Sequence, residues 1–157
     1  MWQRNPTSDS IRRGIAITID YGHTAQDLYS ADRSGGTLLC YYSQMTSEDP
    51  YTRIGQQDMT AHVDFTSLAT VGEAHGLHVT GFTNQMSFLM GLGVEDMIAN
   101  LEPESPDFRA AIHLLRPDGM GSTFKVLVQH KGIERPAMDG LTFKPFFGEA
   151  LAVRSAA

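Results

Sequence analysis

The sequence predicts an α/β layer architecture, and three observations carry that prediction. Gly14–Gly22 places isoleucine at 15, 17 and 19 in a near-continuous apolar run, the composition of a strand buried on both faces of a sheet. Phe65–His75 has helical spacing between an acid at Asp64 and Gly76. Thr123–His130 returns to β-branched and aromatic residues. The order of segments is strand, helix, strand, helices, strand, which layers helices against a sheet.

Taken in order, the first strand runs Gly14–Gly22 and ends in an acid, an aromatic and a glycine, as where a strand opens into a loop. Thr24–Ala31 reads as a short helix, broken by Gly35-Gly36, and Thr37–Ser43 as a second extended segment. Ser47–Gln57, with Pro50 and Gly55, reads as a long loop. Asp64 can cap a helix over Phe65–His75 by accepting from free backbone N–H groups, with Gly76 closing it at C′. Leu77–Thr83 is a short strand, and Gln85–Leu92 is helical with Met86, Leu89 and Met90 on its apolar side. Helices over Val94–Leu101 and Pro106–Leu115 flank the Pro-Glu-Ser-Pro punctuation at 103–106. Three stretches follow from this: a polar lead-in at 1–13, the α/β body at 14–132, and an irregular tail at 133–157 carrying Pro136, Gly140 and Pro145. The first strand looks central yet begins only a dozen residues in, so the chain reads like the second half of a sheet.

At 157 residues the chain is long enough for one domain with a real core. Its formal net charge of −6 argues against a nucleic-acid surface, with Arg12-Arg13 the lone basic doublet. No apolar run approaches the roughly 20 residues of a membrane span. Cys40 is the single cysteine, which excludes a disulfide framework and a cysteine-based zinc site. Met1–Arg13 is polar and lacks the apolar core of a secretory signal, so a cytoplasmic location is the default.

The densest chemistry lies in Gly55–Phe65, where Asp58, Thr60, His62 and Asp64 alternate with Met59, Ala61, Val63 and Phe65. As a strand, all four polar groups share a face, but Asp58 and Asp64 then lie about 20 Å apart at roughly 3.3 Å per residue. As a helix, Asp58 and His62 share a face while Thr60 and Asp64 turn away. Neither conformation gathers three ligands on one ion, so no metal site is assigned. Asp64 as a helix cap, with Asp58 and His62 fixing the loop before it, is the structural alternative to a cleft wall. Asp20-Tyr21-Gly22 and His23 close the first strand, where open α/β sheets hold ligands. Gln85 follows the sixth-strand candidate on the same logic. His75 would suit a helix C-terminus, and His78, His113 and His130 have no recognisable acid partner. No Gly-x-Ser-x-Gly elbow and no Cys/His pairing points to nucleophilic catalysis. Met86, Phe88, Leu89 and Met90 read as core.

Five segments, in order, resemble the MidA family of class I S-adenosylmethionine-dependent methyltransferases. They are Gly14–Gly22 with its Ile-Asp-Tyr-Gly ending, Gly36-Thr37-Leu38 running into Tyr41, Gly55–Phe65, Gly81–Gln85 followed by Phe88-Leu89, and Gly119-Met120-Gly121 before Phe124-Lys125-Val126-Leu127. The family's mitochondrial members methylate an arginine of a respiratory complex I subunit. The resemblance implies the C-terminal half of a Rossmann-like class I methyltransferase sheet. Ile15–Tyr21 would be its fifth strand, His78–Thr83 its sixth, and Phe124–Gln129 an antiparallel seventh between them, with a helical insertion. It also implies catalytic roles for Asp20, Tyr21 and His62, and cleft positions for Gly22, His23, Asp58, Thr60, Asp64 and Gln85.

The glycine-rich turn that holds S-adenosylmethionine in the family has no counterpart. Gly91-Leu92-Gly93 and Gly119-Met120-Gly121 are the only Gly-x-Gly sequences, and neither follows the first strand. No cofactor-binding residue is assigned, and the chain alone is expected to bind no cofactor. The implied partners are a protein substrate and a missing N-terminal half, or a second copy pairing along the edge of residues 15–21 in a homo-oligomer. Two other functions stay open: a non-enzymatic binding or dimerisation module using that edge, and a metal-dependent hydrolase using Asp58, His62 and Asp64.

Overall fold

The computed structural model describes residues 11–144 and 151–152. Most of the expected lead-in and much of the expected tail lie outside the described residues. β1 (Gly14–His23) is followed by α1 (Ala25–Leu28) and a 3-10 turn at Ala31–Arg33. Then come β2 (Leu39–Tyr42), β3 (Met45–Ser47), β4 (Asp58–Thr60) and β5 (Val63–Asp64), which leads directly into α2 (Phe65–Ala74). β6 (His78–Asn84) precedes a run of four helices, α3 (Gln85–Gly91), α4 (Val94–Ala99), α5 (Pro106–Leu115) and α6 (Met120–Thr123). β7 (Phe124–Lys131) and a 3-10 turn at Asp139–Leu141 complete the order.

The main sheet has the order β5-β1-β7-β6. β7 lies antiparallel between β1 and β6, so the strand expected as seventh does sit between those expected as fifth and sixth. β5 runs parallel to β1 but pairs with it only at Gly22 and His23. A second sheet, β3-β2-β4, is wholly antiparallel and was not foreseen. It resolves Ser47–Gln57 into a strand end plus a turn, and splits Gly55–Phe65 between two sheets. Period-two alternation marks a strand but cannot say that its two halves pair with different partners.

Helices cover both faces of the main sheet. On one face Leu127 is fully buried against Phe65 and Ala69 of α2, with Leu68, Val79 and Phe82 around them. On the other, Val126 and Val128 pack on Phe88 of α3, with Met138 and Leu141. Asp64 caps α2 as expected, its side chain accepting from the Ser67 amide. Gly76 follows with a positive φ of 79°, the left-handed turn that glycine takes without strain. Asn84 caps α3 through Ser87 and Ser105 caps α5 through Phe108, with Pro106 in its first turn.

Two expectations need correction. β1 is not buried on both faces: Ile15, Ile17 and Ile19 are 40%, 48% and 51% exposed. They share a face with buried Val126 and Val128, but α3 and the 139–141 turn cover only the β7–β6 side of it. Nor is everything beyond Gly132 without structure, since the turn at Asp139–Leu141 puts Leu141 into the core. Its fit depends on Gly81 and Gly140, whose missing side chains leave room for Leu141 and the Phe88 ring.

Candidate functional site

A cleft of about 360 Å³ opens at the carboxyl end of β1, beside the amino end of β7. Local sequence explains how it is built. Gly22 is buried, and a Cβ there would lie 2.3 Å from the Val63 carbonyl oxygen. Only glycine lets β5 approach so closely, and that approach draws His62, the residue before β5, onto the end of β1. Its ring meets the edge of Tyr21 with centroids 5.6 Å apart and lies 5.0 Å from the His23 ring. Tyr21 also makes an edge-to-face contact with Phe124 at 5.9 Å, within the range such pairs favour.

The second sheet forms the opposite wall. Thr37, Leu39 and Tyr41 alternate along one face, and Thr60 of β4 lies opposite Leu39 on that face. Thr37 ties the walls together, its hydroxyl accepting from the His62 amide at 3.0 Å. Thr123 and Phe124 close the cleft from the start of β7. The walls are thus aromatic and hydroxyl-bearing, and none of these lining residues is a carboxylate.

His62 is the electrostatically distinctive group. Burial pushes its pKa below the ordinary imidazole value, and the positive charges of His23, Arg33 and Lys125 push it the same way. Its Nδ1 is buried with no hydrogen-bond partner among the described residues. At neutral pH the ring is therefore an uncharged imidazole, able to accept a hydrogen bond through a nitrogen.

Of the residues singled out from sequence, Tyr21, Thr60 and His62 line the cleft, and His23 and Gly22 shape it from behind. The others are elsewhere. Asp20 points to the face of β1 opposite Tyr21, and its Oδ1 accepts from the Tyr21 amide at 2.8 Å. Asp58 is exposed on β4 opposite Tyr41 and outside the cleft lining. Asp64 is committed to structure, accepting from the Ser67 amide at 3.0 Å, the Ser67 hydroxyl at 2.7 Å and the Tyr29 hydroxyl at 3.2 Å. Burial opposes ionisation of Asp64, but these hydrogen bonds prevail and hold its carboxyl below the usual range. Gln85 donates to the Leu114 carbonyl at 3.0 Å, tying α3 to the end of α5. Among the described residues no three His, Cys, Asp or Glu side chains converge as a metal site. Sequence reasoning passed over Leu39, Tyr41 and Phe124. The period-two spacing of Thr37, Leu39 and Tyr41 was the available signal.

The two Gly-x-Gly sequences do not form an open backbone cradle for a cofactor. A Cβ at Gly91 would lie 2.5 Å from the Asp139 carbonyl, and one at Gly121 would lie 2.5 Å from the Leu115 carbonyl. Gly91 and Gly121 thus serve close packing against neighbouring backbone.

A mixed sheet with an antiparallel strand between two others, helices on both faces and a cleft at a strand's carboxyl end defines a Rossmann-like α/β methyltransferase fold. Residues 5–83 match the family described as "Putative S-adenosyl-L-methionine-dependent methyltransferase", and the chain belongs to that family. A curated relative, the mitochondrial protein arginine methyltransferase NDUFAF7 homolog of Drosophila melanogaster, is 30% identical over 135 residues. That match covers 80% of this chain and 29% of the fly protein. A crystal structure of a COG1565 superfamily member from Burkholderia thailandensis bound to S-adenosyl-homocysteine superposes with a TM-score of 0.78 at 33% identity. It covers 87% of this chain and 36% of that one. A native crystal structure of a COG1565 superfamily protein from the same organism gives the same score and identity, with 37% of its chain covered. The chain thus spans about a third of the length of the proteins it matches. No helix of the described residues is long and apolar enough to cross a membrane.

Proposed function

We propose that this chain forms the acceptor-side wall of an S-adenosylmethionine-dependent protein arginine methyltransferase, with the cofactor-holding wall supplied by residues outside it. The observation that carries this reading is the cleft at the carboxyl end of β1, where Tyr21, Phe124 and His62 converge beside a largely unpaired strand edge. The fly relative's name supplies the arginine, and the bound S-adenosyl-homocysteine of the Burkholderia protein supplies the cofactor class. When bound, that cofactor contributes an electrophilic methyl group.

This chain's own residues contribute position. The rings of Tyr21 and Phe124 give a planar guanidinium a surface to stack on, an interaction of about 0.5–2 kcal/mol. Neutral His62 can accept a hydrogen bond from a guanidinium N–H. The carboxylate that would localise the nitrogen lone pair is not on this wall, because Asp20 faces away, so it belongs to the complementary part of the domain.

Calorimetric titration of the isolated chain with S-adenosylmethionine tests the division of labour: no heat in the micromolar range is expected, and micromolar binding would overturn it. Grafting this chain in place of the matching segment of the Burkholderia protein tests the wall itself. The graft should retain S-adenosyl-homocysteine binding, and Tyr21→Ala in it should lower methyl transfer to an arginine peptide about tenfold or more through lost positioning. Unchanged transfer would remove Tyr21 from the site. The hydrolase reading has no geometric support, with Asp64 spent on capping and Asp58 outside the cleft lining.

A further inference from the structure

The segment between α1 and β2 holds a second cavity, of about 460 Å³, whose lining includes Leu28, Tyr29, Arg33, Ser34 and Thr37. Every lining residue comes from the single stretch 28–37, so this chain builds the whole of it. Thr37 also lines the cleft at the end of β1, and the two openings adjoin at that side chain.

Arg33 ends the 3-10 turn and is half-buried. Its Nη1 donates to the Asp27 carbonyl at 2.7 Å and to the Ser30 hydroxyl at 3.5 Å, which holds the guanidinium from one end. The Nε and Nη2 edge makes no bond among the described residues. That edge presents two parallel N–H groups, the fork that grips a carboxylate bidentately. The carboxylates of the region are engaged or turned away. Asp27 accepts from the Thr24 hydroxyl and Asp64 from Ser67 and Tyr29, while Asp32 is exposed and outside the lining. The charge of Arg33 is also felt at the cleft, where it helps to keep His62 neutral. The Thr37 hydroxyl, which accepts from the His62 amide, keeps its own hydrogen for an oxygen at the junction.

We propose that Arg33 is a specificity-determining residue, whose Nε and Nη2 edge grips an aspartate or glutamate of the acceptor protein while the target arginine occupies the Tyr21–Phe124 cleft. The proposal rests on the methyltransferase reading of that cleft. Arg33 and Thr37 are separated by at most about 14 Å of extended chain, so the acid lies within about four residues of the target arginine in an extended peptide.

The probes are peptides with one arginine and a glutamate within that spacing, on either side, and their glutamine counterparts. Titrated calorimetrically into the chain at low salt, the glutamate peptide should bind about three- to tenfold more tightly. The preference should fade in about 0.5 M salt. It should vanish in Arg33→Gln and pass to a lysine-bearing peptide in Arg33→Glu. Arg33→Lys keeps the charge and should keep a preference even where loss of the bond to Asp27 disturbs the turn. No binding of either peptide, equal binding of both, or an undiminished preference in Arg33→Gln would overturn the proposal. In the graft into the Burkholderia protein, where the complementary part of the domain is present, the preference should appear in KM and not in kcat. Its loss there, through a carboxylate of that part pairing with Arg33, would overturn the proposal. Weaker S-adenosyl-homocysteine binding by Arg33→Gln in the graft, with the peptide preference intact, would assign the fork to the cofactor's carboxylate and do the same. A graft that binds the peptides with this preference but transfers no methyl group would count against the methyltransferase reading and leave the acid subsite standing.

Discussion

Replacing Gly22 with alanine tests how the cleft is assembled. The added Cβ would stand 2.3 Å from the Val63 oxygen, 2.9 Å from its nitrogen and 3.0 Å from Cε2 of Phe65. Two of these atoms are backbone and the third is on a fully buried ring, so no flexible side-chain tip can yield. β5 would have to retreat by about 0.7 Å to reach even the 3.0 Å floor of real Cβ contacts. That retreat strains the pairing of Gly22 with Val63 and of His23 with Asp64. Overpacking costs about 1–3 kcal/mol, and one weakened backbone hydrogen bond adds about 1 kcal/mol, so a loss of about 2–4 kcal/mol is expected. At a urea dependence of about 2 kcal/mol per molar, the unfolding midpoint followed by circular dichroism should fall by roughly 1–2 M. His62 should report the same event, since its contacts with Tyr21 and His23 depend on where β5 begins, and its ring resonances should shift. A variant within about 0.5 kcal/mol of the parent, with unshifted His62 signals, would refute the idea that close approach at Gly22 sets the cleft.

Asp64→Ala should cost about 0.5–2 kcal/mol by removing the cap of α2, read from the urea midpoint at neutral pH. Because the folded Asp64 pKa lies below its ordinary 3.8, its contribution is present above that value and disappears as pH falls through the lower folded one. The variant should therefore lose less stability than the parent on acidification; an equal loss would contradict the capping role. His62 acts in the same direction but at higher pH, and for the opposite reason: its charged form is disfavoured by the fold. Its folded pKa lies below 6.5, so the fold binds this proton less well than the unfolded chain does. Its share of stability is full above about pH 6.5 and declines as pH drops from there towards the folded value. His62→Gln should flatten that part of the stability profile, and an unchanged slope would mean that the ring is not held neutral by its surroundings.

Much of the fold can be read from local pattern because local interactions fix it. Asp64 and Gly76 bracket α2 through a cap and a left-handed turn, both decided within a few residues. Ser105-Pro106 starts α5 for the same kind of reason. The site was only partly legible. Asp20 and Tyr21 are equally conspicuous in sequence, yet adjacent strand residues face opposite sides, and only Tyr21 lies on the side that the second sheet closes. Asp58 and Asp64 drew notice as carboxylates, but one sits on an exposed strand and the other is consumed by Ser67 and Tyr29. Leu39, Tyr41 and Phe124 went unseen as cleft residues because a hydrophobic side chain announces nothing about which cavity it lines.

The sequence by itself determined the α/β class and the positions of the main helices and strands, which follow from periodicity, caps and composition acting over one or two turns of chain. The family rests instead on the resemblance of five segments taken in order. Tertiary structure alone decided that Gly55–Phe65 divides between two sheets, and that His62 meets Tyr21 and His23. It also decided that the isoleucine row of β1 is left half open. Each depends on contacts between residues far apart in the chain, whose register is set by packing and by the space a missing side chain leaves at Gly22. Local pattern carries no information about that space.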